Sequence, residues 1–192
     1  MANIDLSLTV AKLVEEMRKA GGYPSEEALS RLAAQMTPPF RAKKDEVAIL
    51  RLSPDGRMLS FIFPTKLARM GAIPLTSLNS LAAKTIRDKR GEMVNNFTVY
   101  KHPKVFEAVD LSAEEKASPI QKIISAPMIV EGKVVGVIQI SRKAKPGDPV
   151  GPDFTPHDLA ELTTVGIILG RYVMTLPLPA PSAHPLAPSP KA

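Results

Sequence analysis

The sequence predicts an α+β fold: a central antiparallel sheet with N- and C-terminal helices on one face and a loop and short-helix lid over a candidate pocket on the other. Three observations point to it. Lys122 to Arg142 holds two apolar runs that meet at Glu131-Gly132, as two buried strands joined by a tight turn would. From Glu46 the hydrophobic period changes from helical to strand-like. Beyond Thr155 a helical stripe returns, apolar over so much of its circumference that burial on two sides is expected.

The elements follow in order. Leu6, Val10, Leu13, Val14 and Met17 recur at spacings of three and four, which predicts an amphipathic helix from Leu6 to Lys19 that stops at Gly21-Gly22. Ser25 is the expected N-cap of a second helix, with Leu29, Leu32, Ala33 and Met36 on its buried stripe and Pro38-Pro39 ending it. Val47 to Leu52 and Met58 to Phe63 read as antiparallel strands. Between them, Ser53-Pro54-Asp55-Gly56 suits a type I turn closed through a bulge. Ser77 to Arg90 reads as a helix capped by Ser77 and stopped by Gly91, followed by a short strand over Glu92 to Phe97. Tyr100 to Pro119 is polar and without clear period, and a segment of that kind between buried strands is where binding loops lie. The last helix is the best marked, with Thr155 at the N-cap, Pro156 at the first helical position, Asp158 at the third, and Phe154 stapling onto Leu159.

Three regions result. Residues 1–44 form a helical segment packed on the sheet or on a second copy, 45–176 form the main domain, and 177–192 form a tail of Pro, Ala and Ser expected to be disordered.

At 192 residues with 44% hydrophobic content, the chain can bury one sizeable core. It has no cysteine, which excludes thiol nucleophiles, zinc–thiolate sites, iron–sulfur clusters and thioether-linked chromophores. No signal-peptide pattern is visible, and no apolar run reaches the roughly 20 residues of a membrane helix. A cytoplasmic protein without a membrane partner is expected. Much of the net charge of +6 falls in Lys84 to Lys104, where Lys84, Arg87, Lys89, Arg90, Lys101 and Lys104 outweigh Asp88 and Glu92. The chain has no Trp and only 5% aromatics to stack on bases, so a solvated helix face accounts for this charge better than a nucleic-acid partner.

Catalysis has little to work with. His102, His157 and His184 lack metal-ligand spacing, and neither a phosphate-cradling loop nor a nucleophile elbow is present. Glu114-Glu115 suits a helix start, and Asp153 and Asp158 suit capping. No catalytic residue, metal or cofactor is therefore expected.

The polar residues inside apolar strands are more informative, because a buried amide or hydroxyl without a partner costs a few kcal/mol. By alternation Ile123 and Ser125 share one face of their strand, as Val137 and Gln139 do on theirs. That face is expected to floor a pocket, with Phe61 and Phe63 as apolar wall. Asn95, Asn96 and the loop of Tyr100 to Lys104, including His102, would form a polar lid. In the competing reading, Gln139 bonds a neighbouring backbone group and the chain's own side chains fill the space. Leu6, Val10, Leu13 and Met17, with Leu162, Leu169 and Val173, are the expected homodimer interface.

Ile123 to Met128 followed by Gly132 to Ile140 resembles the paired strands of the GAF domain family, with a Pro late in one strand and a Gly-Val-containing triplet in the next. Phe154-Thr155 through Leu159 looks like that family's entry to its final helix. Ala83 to Val94 is similar to its passage from helix through Gly to a short apolar strand. The resemblance covers Asp45 to Leu176 and implies a small regulatory sensor fold related to PAS. Two departures matter. Asn95-Asn96-Phe97 is not followed by the Asp-Glu of the cyclic-nucleotide-binding members, and the cysteines of the bilin-binding and sulfoxide-reducing members are missing. With the double-faced last helix, the amphipathic first helix and the loop-capped sheet, the expectation is a non-catalytic GAF-like module that binds a small molecule or partner protein and dimerises through its terminal helices. The alternative is an adaptor with a filled pocket that acts through protein contacts, its proline-rich tail serving as a docking peptide.

Overall fold

The computed structural model describes residues 5–68, 71–97 and 118–176. Two helices, α1 (Leu6–Ala20) and α2 (Glu26–Phe40), lead through a 3-10 turn at Lys44–Glu46 into β1 (Val47–Leu52) and β2 (Met58–Phe63). Then come the short α3 (Thr65–Ala68), β3 (Ala72–Pro74), α4 (Leu81–Asp88) and β4 (Glu92–Val94). The long hairpin β5 (Ile120–Val130) and β6 (Lys133–Lys143) precedes the last helix, α5 (Pro156–Thr175).

The strands form one six-stranded antiparallel sheet in the order β3-β2-β1-β6-β5-β4. Its two middle strands are β1 and β6, and the hairpin expected from the two apolar runs supplies β6 and the adjacent β5. Val130 pairs with Lys133 across a turn in which Glu131 and Gly132 both hold positive φ, at 49° and 77°, the conformation that matches strand twist in a two-residue connection. Pro127 lies beyond the three residues of β5 that β4 pairs, Ile123 to Ser125, so its missing N–H removes nothing from that ladder.

Both faces of the hairpin are covered. On one, α1, α2 and α5 pack over Val47, Ile49, Ile124, Ala126, Met128, Ile138 and Ile140. On the other, α4 places Ala82, Ala83 and Ile86 over Leu50, Leu59, Phe61, Ile73 and Val137. Two glycines let α5 approach closely: a Cβ on Gly166 would lie 3.2 Å from the Pro127 carbonyl, and one on Gly170 would lie 3.0 Å from a Val130 methyl. The helix starts as its sequence requires, Thr155 and Asp158 capping each other's backbone N–H.

Three boundaries differ from expectation. Helix α2 does not end at Pro38-Pro39 but runs through both to Phe40. Pro38 cannot donate to the Ala34 carbonyl, but the Thr37 hydroxyl does so at 2.9 Å, and the fully buried Phe40 anchors the last turn. Helix α4 is capped by Ser80, whose hydroxyl accepts from the Ala83 amide, and not by Ser77. Ser77 stays outside because its carbonyl and that of Leu75 both accept from the Arg87 guanidinium, at 2.9 and 2.6 Å. Leu78, within the span expected to be helical, lies before the helix starts and is 86% exposed. Strand β4 ends at Val94, because Asn95 turns to bond Phe154.

On the basic helix face Lys84 pairs with Asp88 and Glu92, and Arg90 with Glu92, while Arg87 donates to backbone carbonyls. No helix of the described residues is long and apolar enough to cross a membrane. The tail 177–192 lies outside the described residues.

Candidate functional site

Ser125 and Gln139 sit directly opposite each other on β5 and β6, on the face that α4 covers. The Gln139 side-chain amide donates to the Ser125 hydroxyl at 3.0 Å. Thr85 on α4 lies 2.7 Å from the same hydroxyl and 2.9 Å from the Leu81 carbonyl of its own helix. Each hydroxyl has one proton. Both hydroxyl protons are therefore used when Gln139 donates to Ser125, Ser125 to Thr85, and Thr85 to Leu81. Ser125 and Thr85 are fully buried, and the chain of bonds satisfies both. Thr85 lies within the helix read over Ser77 to Arg90 and is not among the expected pocket residues. Its hydroxyl, set among Ala82, Ala83 and Ile86, is the sequence signal for its role.

The other expected pocket residues divide. Val137 and Phe61 join the cluster beneath α4, and Ile123 joins a smaller one with Leu81 and Phe97. Phe63 does not share a wall with Phe61. The β1–β2 ladder slips between Ile49 and Leu50, so that Leu50 pairs with Phe61 but Ile49 pairs with Phe63. The irregularity turns Phe63 into the core under the terminal helices. Asn95 is no lid either, since its side-chain amide clasps the Phe154 backbone, accepting from the N–H at 2.9 Å and donating to the carbonyl at 3.0 Å. Asn96 beside it is exposed. Tyr100 and His102 lie outside the described residues.

The residues expected at a dimer interface are occupied within the chain. Leu6, Val10, Met17, Leu162, Leu169 and Val173 are buried in the core between α1, α2, α5 and the sheet, with Leu13 packed against it. An amphipathic stripe does not distinguish a partner's surface from the chain's own. The apolar side chains these helices leave exposed are different ones: Leu8 at 54%, Ile167 at 46% and Met174 at 50%.

Sequence reasoning also missed two buried charges. Glu46 uses both carboxylate oxygens on backbone, accepting from Lys143 N–H at 2.5 Å and Lys43 N–H at 2.7 Å. Arg142, at the far end of β6, is 6% exposed. Its signal was its place after Ile138 and Ile140 on the apolar face of an alternating strand.

Chemically, the α4 face offers two hydroxyls and an amide among aliphatic side chains, groups that can bind but that include no general base. Among the described residues, no cluster of three or more His, Asp and Glu is arranged to hold a metal.

The architecture is a six-stranded antiparallel sheet with helices on both faces. The sequence profile of the GAF domain matches residues 25–173, and the chain belongs to that family. Solved structures share the fold at low identity. The GAF domain from Acinetobacter phosphoenolpyruvate-protein phosphotransferase is 16% identical, with a TM-score of 0.62 over 91% of this chain and 95% of that one. A methyl-accepting chemotaxis protein, residues 122 to 287, is 16% identical, with a TM-score of 0.57 over 84% of this chain and 94% of that one. The free methionine-R-sulfoxide reductase from Neisseria meningitidis, solved with its substrate, is 16% identical, with a TM-score of 0.56 over 88% of this chain and 87% of that one. A search of curated protein sequences finds no match. GAF domains are in general regulatory or sensory modules, though this fold also includes enzymes.

Proposed function

We propose that this chain is a non-catalytic sensory module of the cytoplasm whose α4 face takes a small polar molecule or a partner's side chain, and which pairs with a second copy through its terminal helices. The observation that carries the reading is the polar chain Gln139–Ser125–Thr85 inside an apolar interface. Aliphatic residues would cover the hairpin without needing hydrogen bonds, so polar groups here point to recognition. The absence of cysteine from the sequence separates it from sulfoxide-reducing members of the fold. Pairing would use Leu8, Ile167 and Met174, the apolar residues still exposed on α1 and α5.

A second reading is an adaptor whose pocket is permanently filled. The complete burial of Ser125 and Thr85 favours it. A thermal-shift screen with nucleotides and amino acids separates the two, since a ligand at a hundred times its Kd stabilises by about 2.7 kcal/mol. The sensory reading predicts a shift that Gln139→Leu abolishes while the fold is kept. No shift with any compound, together with higher stability of Gln139→Leu, would favour the adaptor.

A further inference from the structure

A cleft of about 610 Å³ opens on the opposite side of the sheet from Ser125, between the N-terminal ends of α1 and α5. Arg142 lines it and is 6% exposed. Its Nη1 donates to the Arg41 carbonyl at 2.6 Å, and its guanidinium lies 4.2 Å from the centroid of the Phe154 ring. Its Nε is buried without a partner, and among the described residues no carboxylate stands within ion-pair distance. A guanidinium has five N–H donors in a planar fork and stays charged in proteins. Burying that charge against one carbonyl and one ring leaves most of its bonding capacity unused, and a planar carboxylate is the group whose geometry matches the fork.

The other charged groups of the cleft fall into two sets. Three of its carboxylates are committed: Asp5 caps α1, Asp158 bonds Thr155 at the start of α5, and Asp153 pairs with Lys122 at 2.7 Å. The side chains of Arg41 and Glu161 also line the cleft, and among the described residues neither makes a hydrogen bond or ion pair. The uncommitted charges are therefore two guanidiniums and one carboxylate. The committed acids disfavour a dianion. A molecule with one carboxylate for the arginines and one ammonium for Glu161 suits all of them.

We propose that this cleft is a binding site for a free amino acid, its carboxylate on Arg142 and Arg41 and its ammonium on Glu161. The site lies across the sheet from the α4 face and stands independently of the function proposed there. The volume falls within the range of small-molecule sites.

Amide NMR titration of the full chain tests it, with the common amino acids as probes, one at a time, and acetate, methylamine and inorganic phosphate as controls. At least one amino acid is expected to shift the amides of Arg41, His157 and Glu161 saturably, with acetate and methylamine far weaker. Glu161→Gln and Arg41→Gln, both at the mouth of the cleft, should each weaken binding about tenfold, as loss of one charge-assisted contact does. Arg142→Met should abolish it, and if that variant fails to fold, the other two still decide. The proposal is overturned if no amino acid saturates, if acetate or phosphate binds as well, which would mean an adventitious ion only, or if the responding amides are those of Thr85, Ser125 and Gln139.

Discussion

Gly136 on β6 shows how closely the strands are fitted at the level of single atoms. A Cβ there would lie 2.2 Å from the Leu50 carbonyl oxygen and 2.4 Å from the Met128 methyl. The methyl can swing away, but the carbonyl belongs to the neighbouring strand. Gly136→Ala is expected to destabilise by about 3 kcal/mol, at the upper end for overpacking, read as a lower denaturation midpoint with unchanged m-value. Gly170→Ala meets side-chain atoms at 3.0 to 3.4 Å and also gains helix propensity, so it should stay within about 1 kcal/mol of the parent. Legibility divides at the same scale. Ser125 and Gln139 stood out because polar residues interrupt apolar strands, and period-two alternation placed them on one face. The same alternation failed for Phe63, because one slip in a ladder reverses every side chain beyond it. It also could not show that Asn95 bonds a backbone 59 residues away.

Elements were legible where independent signals agreed. The central hairpin had apolar strands and a Gly-containing turn, and α5 had an N-cap, a proline and an apolar stripe, so tertiary packing had nothing to override. The C-terminal end of α2 was misread because a Pro-Pro pair normally stops a helix, and the compensating Thr37 hydroxyl is a contact that pattern alone does not reveal. Thr37→Val should cost about 1 kcal/mol and raise hydrogen exchange near Phe40, reporting the loss of that bond. Helix α1 carries a pH-sensitive cap. Hydrogen bonds from the Ser7 hydroxyl and the Leu8 amide hold the Asp5 carboxyl below its usual range. A carboxyl with a depressed folded pKa stabilises fully above its unfolded value, about 3.9, and loses that contribution as pH falls through the lower folded value. Exchange of the first-turn amides of α1 should therefore quicken, relative to the intrinsic rate, as pH falls below about 4. Asp5→Asn should make it nearly independent of pH in that window.

For the molecule as a whole, the α1 and α5 surfaces divide between a buried side and a narrower exposed one. Leu169→Ala should cost about 2–5 kcal/mol in any oligomeric state, because Leu169 belongs to the core. Ile167→Lys should leave the melting temperature of the monomer nearly unchanged but convert a dimer to monomer in size-exclusion chromatography with light scattering. A parent that elutes as a monomer at micromolar concentration would remove the pairing from the proposed function.

The bond from Thr85 to Ser125 has a consequence for how the sheet could ever be uncovered on that side. Lifting α4 by even one ångström stretches the contact past useful length and leaves the Ser125 hydroxyl proton without its acceptor, while its oxygen still accepts from Gln139. Partial lifting is thus worse than none, and departure of the helix should resemble a latch releasing more than a door swinging. A guest that supplies its own hydroxyl or amide would hold the released state, whereas a purely oily one would not.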